Sequence, residues 1–246
     1  MREAVALTHF LNLVLGGFLI KLYEAIGVSH ADAAAAATKV NSALAWEMLI
    51  VAILIAFFAL VRITISVEKP NPAQQIAEMI HEFSGGLGDQ IIGHGHERFQ
   101  AFATCIFLFV LLNNLLGLIP GVSTPTGQPW VPLGLASLTF LYYNLHGARV
   151  HGIKYIKQFM GPLPALTPLM LPIEIVSHLA RVMSLTIRLY ANMFASDMLT
   201  LVWFSLIPLA VPSVFLGLHA AVSVIQAFVF MLLTMIYLSM AISHEH

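Results

Sequence analysis

The sequence predicts an all-α integral membrane protein, and three observations support this fold class. Only 9% of the 246 residues are charged and 59% are hydrophobic, whereas soluble domains carry about 25% charged residues. The charges are also unevenly spread, because none occurs between Arg98 and Arg149. The apolar runs exceed the ~20 residues that cross a hydrocarbon core. Since one soluble core could not bury so much apolar surface, we expect about five transmembrane helices.

Residues 1–42 form a first segment, separate from the predicted membrane domain at 43–246. The run 4–20 is apolar and follows Arg2, as in a signal peptide, but no clean cleavage site follows it. Lys21, Glu24 and the alanine-rich run 31–38 favour an amphipathic helix at the membrane interface. An interfacial helix, an additional span and a signal segment are all compatible with this pattern.

Turn residues divide the membrane domain into separate spans. The predicted spans cover residues 43–67, 99–120, 131–148, 170–207 and 213–243. The stretch 73–90 is different, because Ile76, Met79 and Phe83 share one helical face while Glu78 and Glu82 take the other. This pattern predicts an amphipathic helix that lies on the membrane surface or packs on another subunit.

The two C-terminal spans are unusually long. No glycine or proline occurs from 173 to 207, so one helix could extend over roughly 50 Å. The final helix could extend over roughly 40 Å. Both exceed the ~30 Å hydrocarbon core, which predicts two strongly tilted helices packed as an antiparallel hairpin.

Basic residues predict the orientation in the membrane. Arg62, Lys69, Arg98 and the run 149–157 lie at one set of helix ends, while the loops at 121–129 and 206–213 carry no positive charge. The positive-inside rule places the basic ends and the C-terminus in the cytoplasm. The net charge of −1 and pI near 6.8 give no indication of a nucleic-acid partner.

Charged residues within the long helix are the main candidates for function. They are Glu174, Arg181, Arg188 and Asp197. An ionised residue near the bilayer centre costs at least ~2.5–3.5 kcal/mol, so its presence suggests a functional site. Arg181, Ser184 and Asn192 share the helical face of Arg188, while Asp197 points to the opposite side.

An antiparallel hairpin that closes near 206–213 would bring the last helix against these groups. His219 and Gln226 are seven residues apart, hence on one helical face. Position 197 then lies opposite 219–220, and position 188 lies opposite 226–229. We therefore expect Asp197 to meet His219 and Arg188 to meet Gln226.

Other motifs indicate no metal, cofactor or enzymatic centre. The pairs His94/His96 and His244/His246 have metal-ligand spacing, but they lie at membrane edges in short flexible segments. The glycines at 85–88 lack the lysine and the strand-loop-helix context of a phosphate loop. No nucleophile and base lie in register, so we do not expect this chain to be an enzyme on its own.

Several motifs resemble a known family. Residues 184–195, Ser-Leu-Thr-Ile-Arg-Leu-Tyr-Ala-Asn-Met-Phe-Ala, resemble the arginine motif of F-type ATP synthase subunit a. The last helix from Gln226, the stretch 113–121 and the run 172–174 are also similar to that family, and the resemblance covers 43–246. Val182-Met183 and Ala191 depart from its usual proline and glycine. Neither departure removes a charged group.

The resemblance implies a non-catalytic stator proton channel in the membrane sector of a rotary ATP synthase, in a bacterial inner membrane. Its partners would be a ring of small c subunits, the b subunits of the peripheral stalk and, through them, the catalytic head. Arg188 would face the ring and separate two aqueous half-channels for H⁺. Asp197, His219, Gln226 and Asn192 would line the outer one; the inner one would use Glu174, Arg181, Ser184 and His178.

A stand-alone secondary transporter or ion channel is the alternative interpretation of the same charges. Such a transporter would use Arg188 as an anion site. Inverted repeats or broken helices in matching halves are typical of that class, and the sequence shows neither.

Overall fold

The structure, a computed structural model, describes residues 2–119, 124–152, 167–206 and 210–242. These residues form only helices, with no strand. The helices are α1 (Arg2–Ala25), α2 (His30–Thr64), α3 (Pro72–Ile91), α4 (Glu97–Leu116), a 3-10 helix (Pro125–Gly127), α5 (Trp130–His151), α6 (Thr167–Leu206) and α7 (Ala210–Ile242). The predicted all-α fold is confirmed. Lys157, the turn at 207–209 and His244/His246 lie outside the described residues.

Three segments of the described residues are long and apolar enough to cross a membrane by length and composition: His30–Thr64, Glu97–Leu116 and Ser213–Ile242. They contain most of the predicted spans at 43–67, 99–120 and 213–243. The other two predicted spans coincide with α5 and α6, where Asn144, His146 and the four charges of α6 interrupt the apolar sequence. That these two also cross the membrane stays a prediction.

The N-terminal segment is a helical hairpin. α1 packs against α2. The turn between them contains Gly27 at φ 90°, a backbone angle that residues with a side chain rarely adopt. Helix α2 begins at His30, well before the predicted span, because Ser29 accepts a bond from the Asp32 amide and a run of alanines follows. Whether α1 lies at the interface or spans the membrane stays a prediction.

Helix α3 carries both polar and apolar residues on its packed side, and several large apolar residues of α3 are exposed. Gln74, Ser84 and Gly88 are buried, and Ile76 and Met79 are exposed. The inward face bonds to neighbouring segments, for example through Gln74, whose side chain bonds the Ser66 backbone. The exposed apolar side chains fit the predicted amphipathic helix, which would place them against lipid or another subunit.

Helices α4 to α7 pack into one bundle, which fixes the position of the candidate site. Its core includes Val110, Leu189, Met193, Ala227 and Phe230, all fully or almost fully buried. Helix α6 has 40 residues and α7 has 33, which correspond to roughly 60 and 50 Å. They pack against each other and form the predicted C-terminal hairpin. Their tilt relative to the bilayer stays a prediction.

Candidate functional site

The α6–α7 hairpin brings Asp197 and His219 together, as the chain arithmetic predicts. Asp197 Oδ1 lies 3.8 Å from His219 Nδ1. His219 is 1% exposed, while Asp197 is half-buried. The separation is too long for a direct hydrogen bond, but one bridging water or a small side-chain rotation would connect the two groups.

The second ring nitrogen of His219 determines which form of the imidazole faces Asp197. His219 Nε2 lies 3.2 Å from the backbone carbonyl oxygen of Asn114. A carbonyl oxygen can only accept, so this hydrogen bond places the ring hydrogen on Nε2. In the neutral ring, the Nδ1 lone pair therefore faces a carboxylate oxygen. This arrangement can hold one added proton, on Asp197 or on His219.

Thr124, in the connection between α4 and α5, completes the surroundings of this carboxylate. Its hydroxyl donates to Asp197 Oδ1 over 3.0 Å, and the residue is 1% exposed. Pro125 follows it, which restricts Thr124 to extended backbone, and its φ of −61° and ψ of 123° agree. On the other carboxylate oxygen, a Cβ added at Gly127 would lie 3.3 Å from Asp197 Oδ2. The connection thus donates to one carboxylate oxygen, and the missing side chain at Gly127 leaves room beside the other.

Helix α4 supplies a buried amide group beside His219. Asn113 and Asn114 are both 0% exposed, and Thr126 donates to Asn114 Oδ1 over 2.7 Å. Among the described residues, Asn113 Oδ1 and Asn114 Nδ2 are buried and have no hydrogen-bond partner. Most buried polar atoms are paired, so these two amide atoms are exceptions within the described part of the chain.

Close packing at the end of α4 depends on a missing side chain. A Cβ at Gly117 would lie 2.3 Å from Thr124 Oγ1 and 3.0 Å from His219 Nε2. A non-bonded contact of 2.3 Å is well below van der Waals distance. Glycine at this position therefore allows both Thr124 and His219 to pack against the end of α4.

The expected pairing of Arg188 with Gln226 is wrong in detail. Gln226 Oε1 instead accepts a hydrogen bond of 2.9 Å from Asn192 Nδ2. The register that pairs 197 with 219 brings 226 level with 190, between the two candidates. Asn192 lies one helical turn closer than Arg188 to the loop that joins α6 and α7. Its neutral side-chain amide pairs with the amide of Gln226.

Arg188 forms no ion pair with any carboxylate in the described part of the chain. Among the described residues, its one polar contact is a 3.5 Å approach to Ser184 Oγ, one turn earlier on α6. It is partly exposed, and its neighbours Met183 and Ile187 are 57% and 54% exposed. The guanidinium therefore lies on an outer, largely apolar face of the bundle.

The other predicted polar residues of α6 lie toward the N-terminal half of the helix. His178 Nε2 lies 3.4 Å from Glu174 Oε1, and His178 Nδ1 lies 3.0 Å from the hydroxyl of Tyr143 on α5. Arg181 lies over the ring of Tyr237, 5.4 Å from its centroid. The structure thus joins Glu174 to His178 but places Arg181 on an aromatic ring.

Sequence reasoning missed several members of these networks. Thr124 and Thr126 come from a turn whose breaker residues indicate only a loop, and Gly117 lies in the predicted span 99–120; no periodicity relates the three to α6. Tyr143 and Tyr237 lie in apolar runs, where an aromatic residue is ordinarily core.

No group of three or more His, Cys, Asp or Glu side chains able to hold a metal occurs among the described residues.

The fold and the site together define a helical membrane protein with titratable groups between its C-terminal helices. A profile of the family described as ATP synthase A chain matches residues 44–239. ATP synthase subunit a of Koribacter versatilis is 45% identical over 240 residues, 97% of each chain. The protein of the same name from Solibacter usitatus is 46% identical over 201 residues, covering 81% of this chain and 86% of that relative.

The corresponding protein of Bdellovibrio bacteriovorus is 41% identical over 172 residues, covering 70% of this chain and 75% of that relative. The chain therefore belongs to the ATP synthase A chain family. Membership makes it an all-α bacterial membrane protein of the ATP synthase membrane sector. The family match begins at residue 44, so it does not include α1.

Proposed function

We propose that this chain is the stator proton channel of a rotary ATP synthase, with Arg188 as the charge that couples proton flow to rotation. The observation that carries the proposal is the environment of Arg188, which pairs with no described carboxylate and lies on an apolar outer face. An uncompensated cation inside a membrane is costly. It is explained if a carboxylate on a partner protein visits it.

The partner chemistry follows from that cost. A ring of small subunits, each with one acidic side chain in the bilayer, would present carboxylates to Arg188 in turn. A protonated acid is neutral and can rotate through lipid, whereas beside a fixed cation it ionises. Arginine suits the role because it stays charged where lysine could lose its proton. Exposed Met183, Ile187 and Phe194 supply an apolar contact surface around the charge.

The outer half-channel would use the polar side chains near Asp197, toward the C-terminal end of α6. The Asp197–His219 pair can accept a proton from water on that side, and the Asn192–Gln226 pair lies between it and Arg188. From Asp197 to Arg188 is nine residues along α6, or roughly 13 Å. A proton would therefore move past the amide pair before it reaches a ring carboxylate.

The inner half-channel would use Glu174 and His178, with Ser184 nearer to Arg188. Glu174 is fourteen residues before Arg188, or roughly 21 Å along the helix, so it cannot neutralise the guanidinium. Arg181 rests on Tyr237 and would keep positive charge near the exit. With Arg188 between the two half-channels, protons cannot cross without turning the ring.

The remaining assignments rest on the resemblance and the charge pattern. The basic ends of the helices would be cytoplasmic, together with the C-terminus, by the positive-inside rule. The exposed apolar faces of α2 and α3 are the candidate surfaces for lipid and for the b subunits of the peripheral stalk. Residues 1–42 would form an interfacial or external hairpin on the outer side.

The test is Arg188→Ala in the assembled complex. We expect ATP-driven proton pumping into inverted vesicles, followed by dye quenching, to be abolished. Protons should leak between the half-channels, and ATP hydrolysis by the detached head should be unchanged. Arg188→Lys should also fail or nearly fail, because a desolvated lysine can give up its proton. Normal pumping by the alanine variant would refute the mechanism.

A further inference from the structure

We infer that Thr124 is a positioning residue of the proton path, whose hydroxyl holds the Asp197 oxygen that faces His219. The inference rests on the proposed function, since it assigns Asp197 and His219 to the outer half-channel. It adds a residue outside the two C-terminal helices. The connection between α4 and α5 thereby becomes part of the site rather than a passive turn.

The geometry of Asp197 Oδ1 carries the argument. This one oxygen accepts the Thr124 hydroxyl at 3.0 Å and lies 3.8 Å from His219 Nδ1. Asp197 has rotatable side-chain torsions and is half-buried, so without a partner its carboxylate could turn away from the imidazole. The threonine bond holds the oxygen toward His219.

The described part of the connection, residues 124–129, is fixed at several points, so Thr124 can act as a rigid donor. Thr126, two residues further along the chain, donates a hydrogen bond to the Asn114 side chain of α4. The Asn114 backbone carbonyl accepts a hydrogen bond from the His219 ring. The Gly127 amide bonds back to the Thr124 carbonyl over 3.0 Å. Thr124, Asp197, His219 and Asn114 therefore form one connected network across the α4–α5 connection, α6, α7 and α4.

This network also predicts how much the hydroxyl matters. A hydrogen bond to a charged group contributes about 1.5–3 kcal/mol, equivalent to roughly 10- to 150-fold in an equilibrium. A positioning loss of about 1 Å can reduce a rate by about 100-fold. We therefore expect removal of the hydroxyl to slow proton flux by at least about tenfold.

The experiment compares Thr124→Val with Thr124→Ser in the complete complex. Valine keeps the shape and suits the extended backbone at this position, and it replaces only the hydroxyl, by a methyl group. Serine keeps the hydroxyl and removes a methyl group. Passive proton flux through vesicles stripped of the catalytic head is measured, with the amount of assembled complex determined in parallel. We expect valine to slow flux at least about tenfold and serine to restore it to within about twofold of the original.

Thr234→Val is the matched control. Thr234 is also buried, at 2% exposure, but its hydroxyl bonds only to the Phe230 carbonyl of its own helix. Its substitution should leave flux within about twofold of the original. If Thr234→Val slows flux as much as Thr124→Val does, loss of any buried hydroxyl is responsible and the inference is refuted.

A reference variant separates this inference from the proposed function. If Asp197→Leu blocks flux but Thr124→Val does not, Thr124 has no positioning role and the channel proposal stands. If Asp197→Leu leaves flux unchanged, the outer half-channel proposal itself fails. Should Thr124→Val not assemble, Thr124→Cys keeps a weak donor and should give intermediate flux. If both valine and cysteine prevent assembly, Thr124 is structural and the inference is wrong.

Discussion

Gly117→Ala tests whether the close packing of Thr124 and His219 around position 117 is needed for function. The added methyl would lie 2.3 Å from Thr124 Oγ1 and 3.0 Å from two atoms of the His219 ring. Carbon and oxygen atoms normally stay about 3.4 Å or more apart, so Thr124 must move by about 1 Å and the ring by a few tenths of an ångström. The 3.0 Å bond from Thr124 to Asp197 cannot survive a shift of that size.

The expected cost can be worked from this overlap. Overpacking in a close-packed interior costs about 1–3 kcal/mol, which is offset in part because alanine restricts the unfolded chain more than glycine does and can adopt the φ of −63° found at Gly117. The complex should therefore still assemble, while displacement of about 1 Å in the proton path should slow flux by about 10- to 100-fold. Passive flux in stripped vesicles and ATP-driven pumping should fall together.

Gly134→Ala provides the control for a glycine substitution in the same protein. Gly134 lies in α5, and a Cβ there would meet nothing within 4 Å. Its substitution should leave assembly and proton flux unchanged. If Gly117→Ala pumps at the original rate while Gly134→Ala does the same, the described contacts around Thr124 do not control proton transfer.

Two further predictions concern the paired residues of the half-channels. Asp197→Leu and His219→Leu should each slow proton uptake, measured as passive flux, without dissociating the complex. Each change removes one of the two groups that can bind the shared proton. Unchanged flux in both variants would make the pair structural. Tyr143→Phe should slow flux by several-fold at constant assembly, because it removes the 3.0 Å contact between the hydroxyl and His178 that orients the imidazole. Original rates in the phenylalanine variant would exclude His178 orientation as a requirement.

The sequence alone was sufficient where the physical rule is local or one-dimensional. Low charge and long apolar runs determine an α-helical membrane protein, because an unpaired backbone is costly in lipid. The residue count between Asp197 and His219 determines their juxtaposition, since antiparallel helices joined by a short turn have a register that can be counted. The scarcity of intramembrane charge made Arg188 stand out without any structure.

The sequence was less successful where one helical turn decides the outcome. It paired Gln226 with Arg188, but in the structure Gln226 accepts a hydrogen bond from Asn192. The error is small because both residues occupy the same face of α6 and differ by a single turn. The start of the first span at residue 43 stays a prediction, since α2 begins at His30 and helix formation continues through alanines whether or not lipid surrounds them.

Only the tertiary structure decided the contacts made by the connection between α4 and α5. Thr124 reaches Asp197 across 73 positions of sequence, and Gly117 is needed because two side chains from different segments converge on it. No periodicity or spacing contains such information, because a turn residue's partners depend on how the whole bundle closes around it. The charged groups of the site could therefore be predicted from the sequence. The hydrogen bonds from neutral side chains that orient them could be identified only from the packed helices.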